Sequence, residues 1–162
     1  MKSELLRMGD MPQARGSSVA FRADGFSLVE LMVVVAIIAI LSAIAIPSYI
    51  KHVTKTNRVA AEGCLSEYSN YMERAYTTSL SYPASGSSAA PPKYSLDCAT
   101  ASQTGNNYAY SLDPATSSSS KYTLQATPQG TQQSRDTQCG TLTLDQSGTR
   151  TKSGTGTLDE CW

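Results

Sequence analysis

Residues 25–47 read GFSLVELMVVVAIIAILSAIAIP. From Leu31 to Ile46 every side chain is apolar except Ser42, and one acid, Glu30, stands just inside the amino end of the run. As a helix, Leu28 to Ile46 would rise about 28 Å at 1.5 Å per residue, close to the ~30 Å hydrocarbon core of a bilayer. An ordinary transmembrane anchor fits that length. A secretory signal peptide is a second reading, with Ala43-Ile44-Ala45 as a small-x-small cleavage pattern. Neither explains Glu30, because a carboxylate in a membrane helix costs about 2.5–3.5 kcal/mol at its centre and less near an end.

Gly25, Phe26, Glu30 and Pro47, set in GFSLVELMVVVAIIAILSAIAIPSY, resemble the amino-terminal signature of type IV pilins and type II secretion pseudopilins. The resemblance implies that a prepilin peptidase cuts after Gly25 and that the new first residue, Phe26, is N-methylated. Cleavage there leaves a positive amine on Phe26 at the positive end of a helix dipole, which is unfavourable. The Glu30 carboxylate relieves it. Within one chain Glu30 lies a turn away and can cap its own helix; between chains it can bind a neighbour's amine and set the stagger of a stack. The family favours the neighbour, which makes Phe26 and Glu30 subunit-assembly residues. Pro47 is expected to kink the helix by removing one backbone bond.

The chain has 162 residues, 13 basic and 13 acidic, and only 16% are charged. Residues 1–25 read as a polar leader that is removed. Just over a hundred residues follow the anchor, enough for one small domain with a modest core. Its four cysteines, Cys64, Cys98, Cys139 and Cys161, all lie beyond the apolar run. An even count there reads as disulfides in an oxidising compartment. A positive-inside comparison, with Arg15 and Arg22 before the run and Lys51, Lys55 and Arg58 after it, slightly favours the opposite orientation. The cysteines and the pilin signature place the carboxyl-terminal domain outside the cytoplasm instead.

Residues 48–79 continue the helix in amphipathic form, with Tyr49, Val53, Ala60/Ala61, Cys64/Leu65, Tyr68, Met72 and Ala75/Tyr76 at three- and four-residue spacing. Residues 26–47 are its hydrophobic, membrane and assembly half. Residues 80–107 form a Ser/Ala/Pro/Gly-rich connecting loop, in which Cys98 is the natural partner of Cys64 on the helix face. Residues 108–162 supply an antiparallel sheet and a carboxyl-terminal loop. Strands are expected at Tyr108–Leu112, Tyr122–Thr127 and Thr141–Asp145, where apolar and polar residues alternate, with a weaker fourth at Thr149–Lys152. Cys139 pairs with Cys161 in the simplest arrangement; four cysteines allow three pairings. No CxxC knuckle supports a metal site, and the lone His52, at the membrane end of the helix, supports no nucleophile–base pair. No cofactor, metal or catalytic residue is expected, and the chain does not read as an enzyme.

CLSEYSNYMERAYTTSLSY, YTLQATPQGTQQSRDTQCGTLTLDQSGTR and GTGTLDECW extend the resemblance to PilE-type type IVa minor pilins. That implies an α+β pilin fold: a long kinked amino-terminal helix packed on a small antiparallel sheet, with a disulfide-stapled carboxyl-terminal region. It implies a structural subunit that takes part in the initiation or priming of pilus assembly, and so in twitching motility, adhesion and DNA uptake. Implied partners are other major and minor pilins, the prepilin peptidase, the inner-membrane pilus assembly platform and the inner membrane itself. The implied location is the bacterial inner membrane, single-pass with a periplasmic carboxyl-terminal domain, and then the cell-surface pilus. A type II secretion pseudopilin is the alternative; Asp145, Asp159 and Glu160 are too few and scattered for the calcium site many of those carry. A membrane-tethered periplasmic binding module is the third reading. No basic–aromatic cluster and no specific nucleic-acid site stand out in the linear sequence, and the mature chain would be slightly acidic, with 9 basic and 10 acidic residues.

Overall fold

The computed structural model describes residues 25–162, so the leader, apart from Gly25, lies outside the described residues. The chain divides by its internal contacts into two compact units, one ending at Ile40 and one spanning Leu41–Trp162. The described part of the first unit is the leading half of the apolar run. It opens helix α1, which spans Leu28–Ser79 and carries Glu30 in its first turn and Pro47 in its interior.

The second unit holds the remainder of α1 and everything after it. Thr54, Ala61, Cys64, Leu65, Tyr68 and Met72 are the buried residues of α1, one stripe at helical spacing. Tyr49 continues that stripe in sequence but is 71% exposed. The expected apolar face therefore begins later than the pattern indicated: no part of the domain covers α1 at that level. Gly63, in the middle of α1, faces open space, so its cost is only the lost helix propensity of about 1 kcal/mol against alanine. The helix stops at Leu80, whose amide bonds the Tyr76 carbonyl at 2.8 Å and whose φ of 51° is left-handed. A glycine usually fills that position.

After α1 the chain runs through turns and a short 3-10 segment, Asp97–Ala99, to a four-stranded antiparallel meander: β1 (Tyr108–Leu112), β2 (Thr123–Pro128), β3 (Leu142–Asp145) and β4 (Arg150–Lys152), in that order across the sheet. Two short helices, α2 (Gly130–Arg135) and α3 (Leu158–Cys161), lie where the sequence leads one to expect only sheet and loop. The register aligns Tyr110, Ala126 and Leu142 in one inward row and Leu112, Leu124 and Leu144 in the next. These residues are buried, and they join Cys64, Leu65, Tyr68 and Met72 of α1 in one core. Tyr68 meets Tyr110 with ring centroids 5.5 Å apart.

The core is rich in tyrosine, and each buried tyrosine hydroxyl has a partner, as desolvation requires. Tyr68 donates to the Tyr94 carbonyl and accepts from the Leu96 amide. Tyr110 bonds Thr104 at 2.7 Å. Tyr82 and Tyr122 both donate to Glu73, at 3.1 and 3.0 Å. Burial pushes the Tyr110 phenol up to about 12, and drives those of Tyr108 and Tyr122 higher still.

Disulfides join Cys64 to Cys98 and Cys139 to Cys161, with Cα–Cα distances of 5.5 and 5.4 Å. The first ties the connecting loop to α1. The second closes the carboxyl-terminal loop, where Gly154 is packed so tightly that a Cβ would collide with the Gln138 carbonyl.

Candidate functional site

The apolar face of α1 is the first surface that calls for a partner. Phe26 is 80% exposed and Leu28 73%. The most apolar 18-residue window of α1 has none of its residues buried. Isolated exposed leucines are ordinary, whereas a contiguous surface of this size marks a membrane or protein contact. Glu30 is exposed among these residues. Gly25 has no heavy atom near the position a Cβ would take.

The second surface is made by folding. Asn57 and Arg58, about three turns past Pro47, reach the segment around α2. The Arg58 guanidinium bonds the Asp136 carboxylate at 2.5 Å and the Glu160 carbonyl at 3.0 Å. The other Asp136 oxygen accepts from the Tyr108 hydroxyl at 2.8 Å and from the Gln132 amide at 3.1 Å. Gln132 also donates to the Thr54 carbonyl and accepts from Asn57. Asp136 is only 3% exposed, so this network is a buried charge held by an arginine and two neutral donors. It fastens α1, β1, α2 and the carboxyl-terminal loop at one point. None of Asp136, Gln132 or Tyr108 stood out in the sequence as more than turn or strand. Nearby, burial raises the Glu62 carboxyl, and the charges of Arg58, Arg150 and Lys55 oppose it.

Concave surfaces lie on the domain, three of them notable among the described residues. One of about 470 Å³ includes Lys51, Lys55, Arg58 and Arg135. One of about 230 Å³ lies over Tyr68 and Tyr110. A third, of about 450 Å³, is lined by Tyr71, Arg74, Ala75, Thr78, Tyr94 and Leu96. In this last, Tyr71 and Tyr94 stack at 4.2 Å. It is a basic–aromatic grouping that the linear sequence did not reveal, because Tyr94 arrives from the connecting loop. Elsewhere, Arg150 lies 5.0 Å over the Trp162 ring. All four cysteines are in disulfides. No group of three or more His, Cys, Asp and Glu is gathered among the described residues, and His52 is exposed.

The family model for the type IV minor pilin ComP, DNA uptake sequence receptor, matches residues 47–143, more than half of the chain. The chain belongs to this family of type IV minor pilins. The model for the prokaryotic N-terminal methylation motif matches residues 21–46, the segment that contains Gly25, Phe26 and Glu30. A solved type IV pilin from Shewanella oneidensis is similar at 26% identity, over 67% of this chain and 97% of its own, with a TM-score of 0.46.

This minor pilin therefore comes from a family of filament subunits and not of enzymes. Its methylation motif and apolar helix are those of a pilin anchored in a membrane before it enters a pilus. Its long helix, small antiparallel sheet and two disulfides are the α+β pilin fold. The matching model is that of the minor pilin ComP, whereas the motifs quoted from the sequence resemble PilE-type minor pilins.

Proposed function

We propose that this minor pilin is a structural subunit that enters a type IV pilus through α1 and takes part in initiating pilus assembly, and so in twitching motility, adhesion and DNA uptake. The observation that carries the proposal is the uncovered apolar surface from Phe26 to Ile46, broken after Leu28 only by Glu30 and Ser42. In this reading the prepilin peptidase cuts between Gly25 and Phe26 and methylates Phe26. The domain lies in the periplasm on a single membrane pass, where its cysteines oxidise, and the assembly platform then lifts the subunit into the filament. The Glu30 carboxylate pairs with the Phe26 amine of a neighbouring pilin, and Pro47 is where α1 bends or loosens as the subunits pack.

The test is Glu30→Val, with Glu30→Asp as control, in cells producing the full chain. Glu30→Val should reach the membrane at parental levels. Its amount in sheared pili should fall roughly ten-fold, the equilibrium effect of about 1.4 kcal/mol. Normal incorporation of Glu30→Val refutes the assembly role.

A second reading, direct reception of DNA, draws on the matched family, that of a DNA uptake sequence receptor, and on the groove of Tyr71, Arg74 and Tyr94. Stacked aromatic rings beside a cation suit a nucleic acid. Tyr71→Ala with Arg74→Gln should weaken retention of single-stranded DNA roughly ten-fold, taking stacking at about 1–3 kcal/mol per base. Unchanged retention removes the groove from consideration.

A further inference from the structure

Just past the apolar run, α1 carries Lys51 and Lys55 a single turn apart, with Arg58 in the next turn. Arg135, the last residue of α2, lines the same groove of about 470 Å³, together with Ile50 and Thr137. Arg58 is committed elsewhere, because it neutralises Asp136 in the groove wall. Lys51, Lys55 and Arg135 make no ion pair among the described residues, and all three are exposed. Lys55 feels the Glu62 carboxylate at a distance, but three cations without a direct ion-pair partner on one concave surface still form a site for an anion.

We propose that this groove seats the phosphodiester headgroup of an anionic phospholipid while the subunit resides in the membrane. The inference rests on the reading that the apolar run lies in a bilayer. Along α1, Lys51 stands about 8 Å and Lys55 about 14 Å beyond Ile46 at 1.5 Å per residue. The polar layer on each side of a bilayer is about 5–8 Å deep. Lys51 is therefore at headgroup level, and Lys55 can reach back to it along its flexible stem. Ile50, on the same groove wall, offers apolar contact to the glycerol and upper acyl atoms. A free anion would gain only the charges. A lipid gains the charges and the position, since the helix that carries Lys51 and Lys55 is the one that enters the membrane. Each lysine or arginine near an anionic surface adds roughly five-fold to such binding.

The experiment uses the full mature chain in maltoside micelles, titrated separately with dihexanoyl-phosphatidylglycerol, dihexanoyl-phosphatidylcholine, glycerol phosphate and a short DNA duplex. The readout is the amide NMR shifts of residues 135–138. Phosphatidylglycerol should shift these amides saturably and bind roughly a hundred-fold more weakly to the Lys51→Gln/Lys55→Gln/Arg135→Gln variant, and phosphatidylcholine should have little effect. Arg135→Gln alone, a single change at an exposed site, should give a smaller loss in the same direction. Equal shifts from glycerol phosphate at the same concentration overturn the lipid assignment in favour of free phosphate. Tighter binding of the duplex overturns it in favour of nucleic acid, and a variant that titrates like its parent overturns the site itself. Micelles assemble no pili, so this result and that for Glu30→Val fail independently.

Discussion

Replacing Arg58 with alanine tests the claim that one buried charge fastens the domain. In the parent protein, Asp136 receives Arg58 at 2.5 Å, Tyr108 at 2.8 Å and Gln132 at 3.1 Å. Arg58→Ala leaves the last two, both neutral, facing a carboxylate whose side chain is 2% exposed. It also strips the Glu160 carbonyl of its donor. Removing one partner of a buried pair costs about 3–5 kcal/mol. The groove beside Arg58 admits water once the guanidinium is gone, which places the loss near the lower end, about 3 kcal/mol. For a domain of this size that corresponds to a fall in melting temperature of about 12 °C. Trp162, the only tryptophan, reports the event directly. Its indole N–H donates to the Thr151 carbonyl at 3.0 Å and its ring lies under Arg150, so its emission follows release of the carboxyl-terminal loop. The assay is denaturation of the full mature chain in micelles with disulfides intact, for Arg58→Ala, Asp136→Ala and the double variant. The double variant should be hardly less stable than Arg58→Ala alone, giving a coupling of about 2–3 kcal/mol. A loss below about 1 kcal/mol for Arg58→Ala, the value of a solvated pair, would show that the network does not hold the loop on α1.

Two further outcomes follow from the core. The phenols of Tyr108, Tyr110 and Tyr122 titrate above their ordinary value of 10.0, with burial as the largest cause. A group whose folded pKa is raised keeps its full stabilisation below the unfolded value and loses it as pH rises through the folded one. Stability should therefore hold to about pH 10 and then fall, with a limiting slope of roughly 4 kcal/mol per pH unit if all three ionise only on unfolding; a flat melting temperature between pH 9 and about 11 would contradict this. Replacing Cys64 and Cys98 by serine opens a 34-residue loop and should cost about 3–4 kcal/mol. Opening Cys139–Cys161, with its separation of 22, should cost slightly less, and the reverse order in denaturant midpoints would count against loop closure as the source.

The parts of this protein that were legible in the sequence are those whose chemistry is local. The apolar run, Gly25, Phe26 and Glu30 lie in one contiguous stretch that is exposed among the described residues, so their pattern and their surface are the same object. The strands Tyr108–Leu112 and Leu142–Asp145 show alternation because one face is buried along their whole length. Where a third element intervenes, legibility fails. Tyr122 alternates as though in a strand, yet it is buried just before β2 begins, its hydroxyl bonded to Ser69 and Glu73 of α1. The strand expected to end at Thr127 runs on to Pro128, which closes β2 opposite Tyr108, where the ladder to β3 has already ended at Ala126 and Leu142 and no donor is required of it. TQQSRD, residues 131–136, is as polar as any surface turn, and α2 starts without a side-chain cap. Only contact with Asn57 and Arg58, more than 70 residues earlier, makes Gln132 and Asp136 interior. The same holds for the two surfaces to which ligands are assigned. Arg135 meets Lys51 and Lys55, and Tyr94 meets Tyr71 and Arg74, because the domain folds back on α1. For a minor pilin this is a division along one helix: its first half presents an apolar surface written residue by residue, and its second half acquires concave surfaces only from what packs against it.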